Sequence, residues 1–208
     1  MRWFPGRKLG RVILAVGIAL LAAQSGSAMS LSGLVISEVL ANPLGFDANQ
    51  DGDFHLGDDE YVELFNGTGM LVDLGGFSIS DSSGVRHVFA ANTIIADGEY
   101  IVVFGGGDVS GFPGTGVLAT TGTLAITNSG DRMFLRDAAA ILVDLFVYES
   151  GLTGESRVRH DGQVLRHTDV APEVGSPGFA TLATPEPAAA LLLGSGLLGL
   201  GLLGRRRN

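Results

Sequence analysis

The chain has 208 residues, with 22 acids against 13 lysines and arginines, and a formal charge of −9 at neutral pH. Between residues 29 and 184 the imbalance sharpens to 21 acids, six arginines and no lysine, a formal charge of −15. That surface repels phosphate backbones and argues against nucleic-acid binding, and the absence of cysteine excludes a disulfide framework, so stability must come from a core. The first feature in chain order is MRWFPGRKLGR, carrying Arg2, Arg7, Lys8 and Arg11. An apolar run at 12–23 and the small-residue stretch QSGSA follow. This is the layout of a secretory signal peptide over residues 1–28, cleaved near Ala28. An uncleaved anchor is the alternative, but the run is short for a span that needs about 20 residues.

Short runs rich in Val, Ile, Leu, Phe and Tyr then alternate with glycine-rich turns. The spacing predicts strands at 34–40, 61–66, 76–80, 86–89, 100–104, 123–127, 132–137, 141–148, 156–160 and 164–167. Asn-Ser-Gly-Asp at 128–131 and His-Asp-Gly-Gln at 160–163 read as hairpin connections. No stretch before the tail sustains a helical period for three turns, which indicates an all-β sandwich or small barrel.

Between the first two predicted strands lies FDANQDGDFHLGDDE, residues 46–60. It places Asp47, Asn49 and Asp51 at the first, third and fifth positions of a calcium loop. Gly52 falls at the sharp turn, the Asp53 carbonyl at the seventh position, His55 at the ninth and Asp58 at the twelfth. Asp59 and Glu60 stand nearby as substitutes. The flanks exclude an EF-hand, because Asn42-Pro43-Leu44-Gly45 breaks an incoming helix and Asn66-Gly-Thr-Gly69 stops the outgoing one. A dockerin needs two copies, and the chain holds one. The reading adopted is a structural calcium loop joining two strands; the alternative is an empty, solvated acidic turn.

Other candidate chemistry is thinner. The glycine-rich stretches at 105–111 and 111–116 lack the lysine of a phosphate-binding loop and read as surface loops. His55, His87, His160 and His167 could join acids in a secreted metal-dependent hydrolase, the alternative function. No H-E-x-x-H or G-x-S-x-G motif supports it. Asn66-Gly-Thr68 matches a glycosylation sequon and reads as a turn.

LVISEVLANP (34–43), DEYVELFN (59–66), VDLGGFSISDSSG (72–84) and ADGEYIVV (96–103) together resemble a lamin-tail domain. TNSGDRMFLRDAAAILVDLFVY (127–148) and GSPG (175–178) continue the same order. The resemblance implies an immunoglobulin-like β-sandwich over 29–180. Its motifs are mostly packing and turn residues, so it implies a fold more than an activity.

The chain closes with Thr184-Pro185-Glu186-Pro187 after a linker beginning at 181, then an apolar stretch at 188–204, then Arg205, Arg206, Arg207 and Asn208. The apolar stretch would make about 25 Å of helix, the short end of a transmembrane span, with the arginine tail cytoplasmic. A buried helix or hairpin is the alternative, and it fits poorly because the stretch has no polar face. The three parts in this order resemble the PEP-CTERM sorting signal of Gram-negative bacteria. That resemblance implies recognition of Pro185, Glu186 and Pro187 by an exosortase-like protease, with the membrane helix removed during export. Together these readings give an exported, non-catalytic module of the cell surface or extracellular matrix. Its partners would be exopolysaccharide or another surface protein.

Overall fold

The computed structural model describes residues 31–179. The signal peptide with its Ala28 cleavage point, the 181–187 linker with Pro185–Glu186–Pro187, the 188–204 span and Arg205–Arg207 all lie outside the described residues. Among the described residues, no helix is long and apolar enough to cross a membrane.

Among the described residues, twelve strands form in chain order: β1 (Leu34–Leu40), β2 (Tyr61–Asn66), β3 (Val72–Asp73), β4 (Ser78–Ser80), β5 (Val85–Val88) and β6 (Ile94–Ile95). They continue with β7 (Tyr100–Phe104), β8 (Gly116–Leu118), β9 (Asp131–Arg136), β10 (Leu142–Tyr148), β11 (Arg157–His160) and β12 (Gln163–Arg166). One 3-10 turn follows at His167–Asp169. A six-stranded sheet runs β12-β11-β1-β2-β7-β8, a four-stranded sheet runs β10-β9-β4-β5, and β3 pairs with β6 alone. The result is an all-β sandwich of the immunoglobulin-like kind. Leu34, Ile36, Val62, Leu64, Ile101 and Val103 of the larger sheet share a core with Ile79, Met133, Leu135 and Phe146 of the smaller.

Most predicted strands form with ends shifted by a residue or two, and one does not form. Residues 123–127 bury Leu124 and Ile126 but take no ladder, and Ala125 sits at φ 48°, which breaks the extended run. The turn at 128–131 therefore leads into β9 without being a hairpin. The 160–163 hairpin does form, with Asp161 and Gly162 both at positive φ as a two-residue turn of this kind requires. Three short strands, β3, β6 and β8, were too brief to show a period; β8 pairs parallel to β7.

One irregularity decides where the polar residues go. Leu34 and Ile36 face the inner core, and strict alternation would send Glu38 in after them. A bulge between Ile36 and Glu38 inserts Ser37, so Val39 points inward while Glu38 and Leu40 point out. Asp144 accepts the Ile36 N–H at 2.8 Å, and Arg159 donates to the Ile36 carbonyl at 3.0 Å. The two side chains also pair with each other at 2.9 Å. The bulge is thus closed by an ion pair from the neighbouring strands.

Candidate functional site

The outer face of the six-stranded sheet carries both polar constellations of interest. Leu40, Tyr61, Val102, Phe104 and Phe112 form a small second core there. Phe46 of the acidic loop and Val109 of the 105–116 loop cover it.

The acidic loop winds around its own side chains. Asp47 Oδ2 accepts the Gly52 N–H at 3.1 Å, Asn49 Oδ1 the Asp51 N–H at 3.0 Å, and Asp51 Oδ1 the Asp53 N–H at 2.9 Å. These short-range bonds turn the first three predicted ligands inward, as a loop wrapping a hard cation needs. Gln50 and Gly52 both take positive φ to close the turn. Asp51 Oδ2 also accepts from Asp108 N and Asn49 Nδ2, both at 3.1 Å. Backbone N–H groups of Asp53 and then Asp108 hold its carboxyl below the usual range. Asp47 Oδ1 is buried and has no hydrogen-bond partner. A buried carboxylate oxygen left without a donor is costly, and it is what a ligand oxygen looks like before its cation arrives.

The twelfth-position ligand goes elsewhere. Asp53 is exposed, and Asp58 lies 3.3 Å from His55 Nδ1 at the surface. The interior place is taken by Asp59, whose Oδ1 accepts from Ala48 N and Asn49 N at 2.8 and 3.2 Å and whose Oδ2 accepts from His55 N at 2.8 Å. Burial raises the Asp59 carboxyl, against the pull of those three N–H groups. Among the described residues, no three His, Asp or Glu side chains form a ready-made metal cage. The structure brings together Asp47, Asn49 and Asp51, and adds Asp59 and Asp108 from positions that the twelve-residue spacing does not reach. Gly105, Gly106 and Gly107 are needed for the second loop to approach. A Cβ at Gly105 would run into the Gly57 carbonyl, at Gly106 into the Asp58 carboxyl, and at Gly107 into Asn49 and Asp51.

The second constellation is buried outright. Glu38 and Glu63 are direct cross-strand partners on β1 and β2, 0% and 1% exposed. Glu38 Oε1 accepts from the Tyr61 hydroxyl, from Ser156 Oγ at 2.6 Å and from Ser176 N at 3.0 Å. Its Oε2 accepts from Ser176 Oγ at 2.8 Å. Glu63 accepts from Ser37 Oγ and from Gly178 N, the latter at 2.7 Å. Two carboxylates this close cannot both ionise cheaply in a dry setting. Burial first, and the Glu38 charge second, hold the Glu63 carboxyl well above its ordinary value. These two acids therefore fasten Gly175-Ser-Pro-Gly178 across the sheet. At Gly175 a Cβ would press on the Tyr61 hydroxyl and the Phe46 ring.

His167 completes this network, fully buried, with Nδ1 2.8 Å from the Glu173 carbonyl and Nε2 3.0 Å from Ser176 Oγ. The carbonyl only accepts, so Nδ1 carries the proton. A serine beside a histidine suggests a nucleophile and its base. Here the same Oγ also meets the Glu38 carboxyl, which opposes forming an alkoxide. The remaining histidines serve other elements. His55 faces Asp58, His160 lies 3.6 Å from Asp161, and His87 is buried against Phe89 with both ring nitrogens unpartnered. The four do not converge on one metal.

A family model described as Lamin Tail Domain matches residues 27–150. No curated protein matches the chain. The matched span holds β1 to β10, the acidic loop and both buried glutamates, while the Gly175–Gly178 segment that they grip lies beyond it.

Proposed function

The chain belongs to the lamin tail domain family, and on that premise we propose that it is an exported, non-catalytic module of the cell surface or extracellular matrix. The signal-like start and the Pro185-Glu186-Pro187, apolar and Arg205–Arg207 ending support this reading, with an exosortase-like protease trimming the tail. The observation that carries the non-catalytic part is how the buried acids are used. Glu38, Glu63 and Glu155 hold backbone N–H groups or hydroxyls of other segments, and Asp59 holds those of its own loop, which is work of assembly.

Within this function the acidic loop is a structural calcium site. Asp47 Oδ1 supplies the free buried oxygen. The second lone pairs of the Asn49 and Asp51 side chains, and the Asp53 carbonyl, complete a set of hard oxygens. Bound calcium would lock the loop over Leu40, Tyr61 and Phe104, with affinity on the order of 10⁻⁴–10⁻³ M, as in extracellular modules. The outward partners are exopolysaccharide or another surface protein.

Replacing Pro185-Glu186-Pro187 by alanines in the source cell tests the sorting arm. The expected outcome is retention of an untrimmed chain in the membrane fraction. Unchanged trimming and unchanged location would remove the sorting role.

A further inference from the structure

We propose that the cleft between the β4–β5 turn, the turn before β9 and the end of β10 binds a neutral hexopyranose unit of a glycan chain. The cleft has a volume of about 550 Å³, within the range of small-ligand sites. Ser82, Ser83, Ser129, Arg132, Val147 and Glu149 are among the residues that line it.

Arg86, Arg159 and Arg166 are each held by an acid, Arg157 by Ser150, and Arg136 by the Ala140 carbonyl. Among the described residues, only the Arg132 guanidinium has no such partner, and it faces this cleft. Among the described residues, the hydroxyls of Ser82, Ser83 and Ser129 and the Glu149 carboxylate there have no hydrogen-bond partner either. The cleft therefore offers a fork of donors, one strong acceptor and several groups that can do either. With Asp131 beside it the local charge is −1, which repels an anion, while Arg132 repels a cation. A neutral polyol fits both conditions. Its hydroxyls can donate to Glu149 and accept from Arg132, and its C–H face can rest on the half-exposed Val147.

The walls are set before any ligand arrives. The Tyr148 hydroxyl donates to the Thr127 carbonyl at 2.7 Å, Gly151 N to the Asn128 carbonyl at 2.7 Å, and Asp131 Oδ2 accepts from Thr127 N at 3.2 Å. Little ordering cost is left for binding. A second polar cleft of about 520 Å³, with Arg157 and Gln163, shares Val147–Glu149 as its border. A chain of sugars crossing that ridge would touch both clefts, so oligosaccharides should bind more tightly than monosaccharides.

This inference rests on the reading of the protein as a non-catalytic surface module. The test is an NMR titration of the ¹⁵N-labelled full chain in a non-glycosidic detergent. The probes are gluco-, galacto- and manno-configured neutral sugars from monosaccharide to hexasaccharide, with hexuronate oligomers alongside. The expected result is saturable shifts at the amides of 129–132 and 147–149, tightening with chain length. Arg132→Met and Glu149→Gln should each weaken binding by about tenfold or more, with unchanged melting temperature. No saturable shift with any neutral sugar, shifts confined to other surfaces, or tighter binding of hexuronates would overturn the proposal. Cleavage of a bound oligosaccharide would uphold the cleft and sink the non-catalytic function. Silence in the titration would remove the cleft and leave that function standing.

Discussion

The six-stranded sheet is covered on both faces, by different means. Its inner face meets the four-stranded sheet mainly through apolar side chains, with Ile36, Leu64, Met133 and Phe146 fully buried, and the Asp144–Arg159 pair closes the bulge at its margin. Its outer face keeps a smaller apolar cluster, and closure there depends on carboxylates. Asp59 holds the acidic loop, and Glu38 and Glu63 hold the Gly175–Gly178 segment. Apolar burial is non-directional and tolerates imprecise positions, whereas each of these acids needs a particular N–H or hydroxyl in place. The inner face should therefore govern global stability, and the outer face the attachment of individual segments.

The largest effect should come from the inner face. Phe146→Ala should cost about 3–5 kcal/mol through its cavity, seen as a lower urea midpoint for every probe. It would also leave Arg159 without the ring it stacks over at 5.4 Å. Glu38→Ala should cost about 3 kcal/mol, because four donors lose one buried acceptor. Its hydrogen-exchange loss should concentrate at Ser156 and at 167–178. A uniform loss across the sheets would show that the two faces are not separable.

Acid–base titration sharpens the same contrast. Burial raises Glu60 to about 7 and Glu63 well above its ordinary value, so both favour the protonated form when folded. Their contribution is complete below about pH 4.5 and is lost as the pH rises through the folded values, about 7 for Glu60. Glu155 has the opposite sign. Although burial opposes it, bonds from Arg166 and Thr168 lower its carboxyl to about 2, so its contribution is present above pH 4.5 and lost as pH falls toward 2. Melting temperature against pH should show Glu60→Gln flattening the neutral limb and Glu155→Gln the acidic limb. Interchanged effects would contradict these assignments.

The smallest expected effect is at the acidic loop. Calcium at about ten times its dissociation constant should stabilise the protein by about 1.4 kcal/mol, raising the melting temperature by about 3 °C. Asp47→Asn should abolish that rise while leaving the calcium-free protein nearly unchanged. Equal rises in both proteins would place calcium elsewhere.

The contrast also explains what could be read from the sequence. The inner face was legible because strands such as LVISEVL and YVELFN announce themselves by β-branched and aromatic density. The first half of the acidic loop was legible because Asp47, Asn49 and Asp51 follow a local spacing. Asp59 was legible only as a neighbouring substitute, and the bond that Asp108 N donates to Asp51 was not legible, since tertiary contact brings it from 57 residues away. Glu38 and Glu63 did leave a signal, each a lone acid inside an apolar run. Their facing register depends on the Ser37 bulge, and a bulge has no mark in the sequence. The 123–127 segment shows the reverse error, because strand-like composition there fills the core without joining a ladder.

The most direct test of the proposed function is the intact mass of the mature protein recovered from the outside of its source cell. The expected chain begins near Met29 and ends close to Pro185–Pro187. A full-length chain from Met1 to Asn208, found inside the cell, would contradict the proposed function.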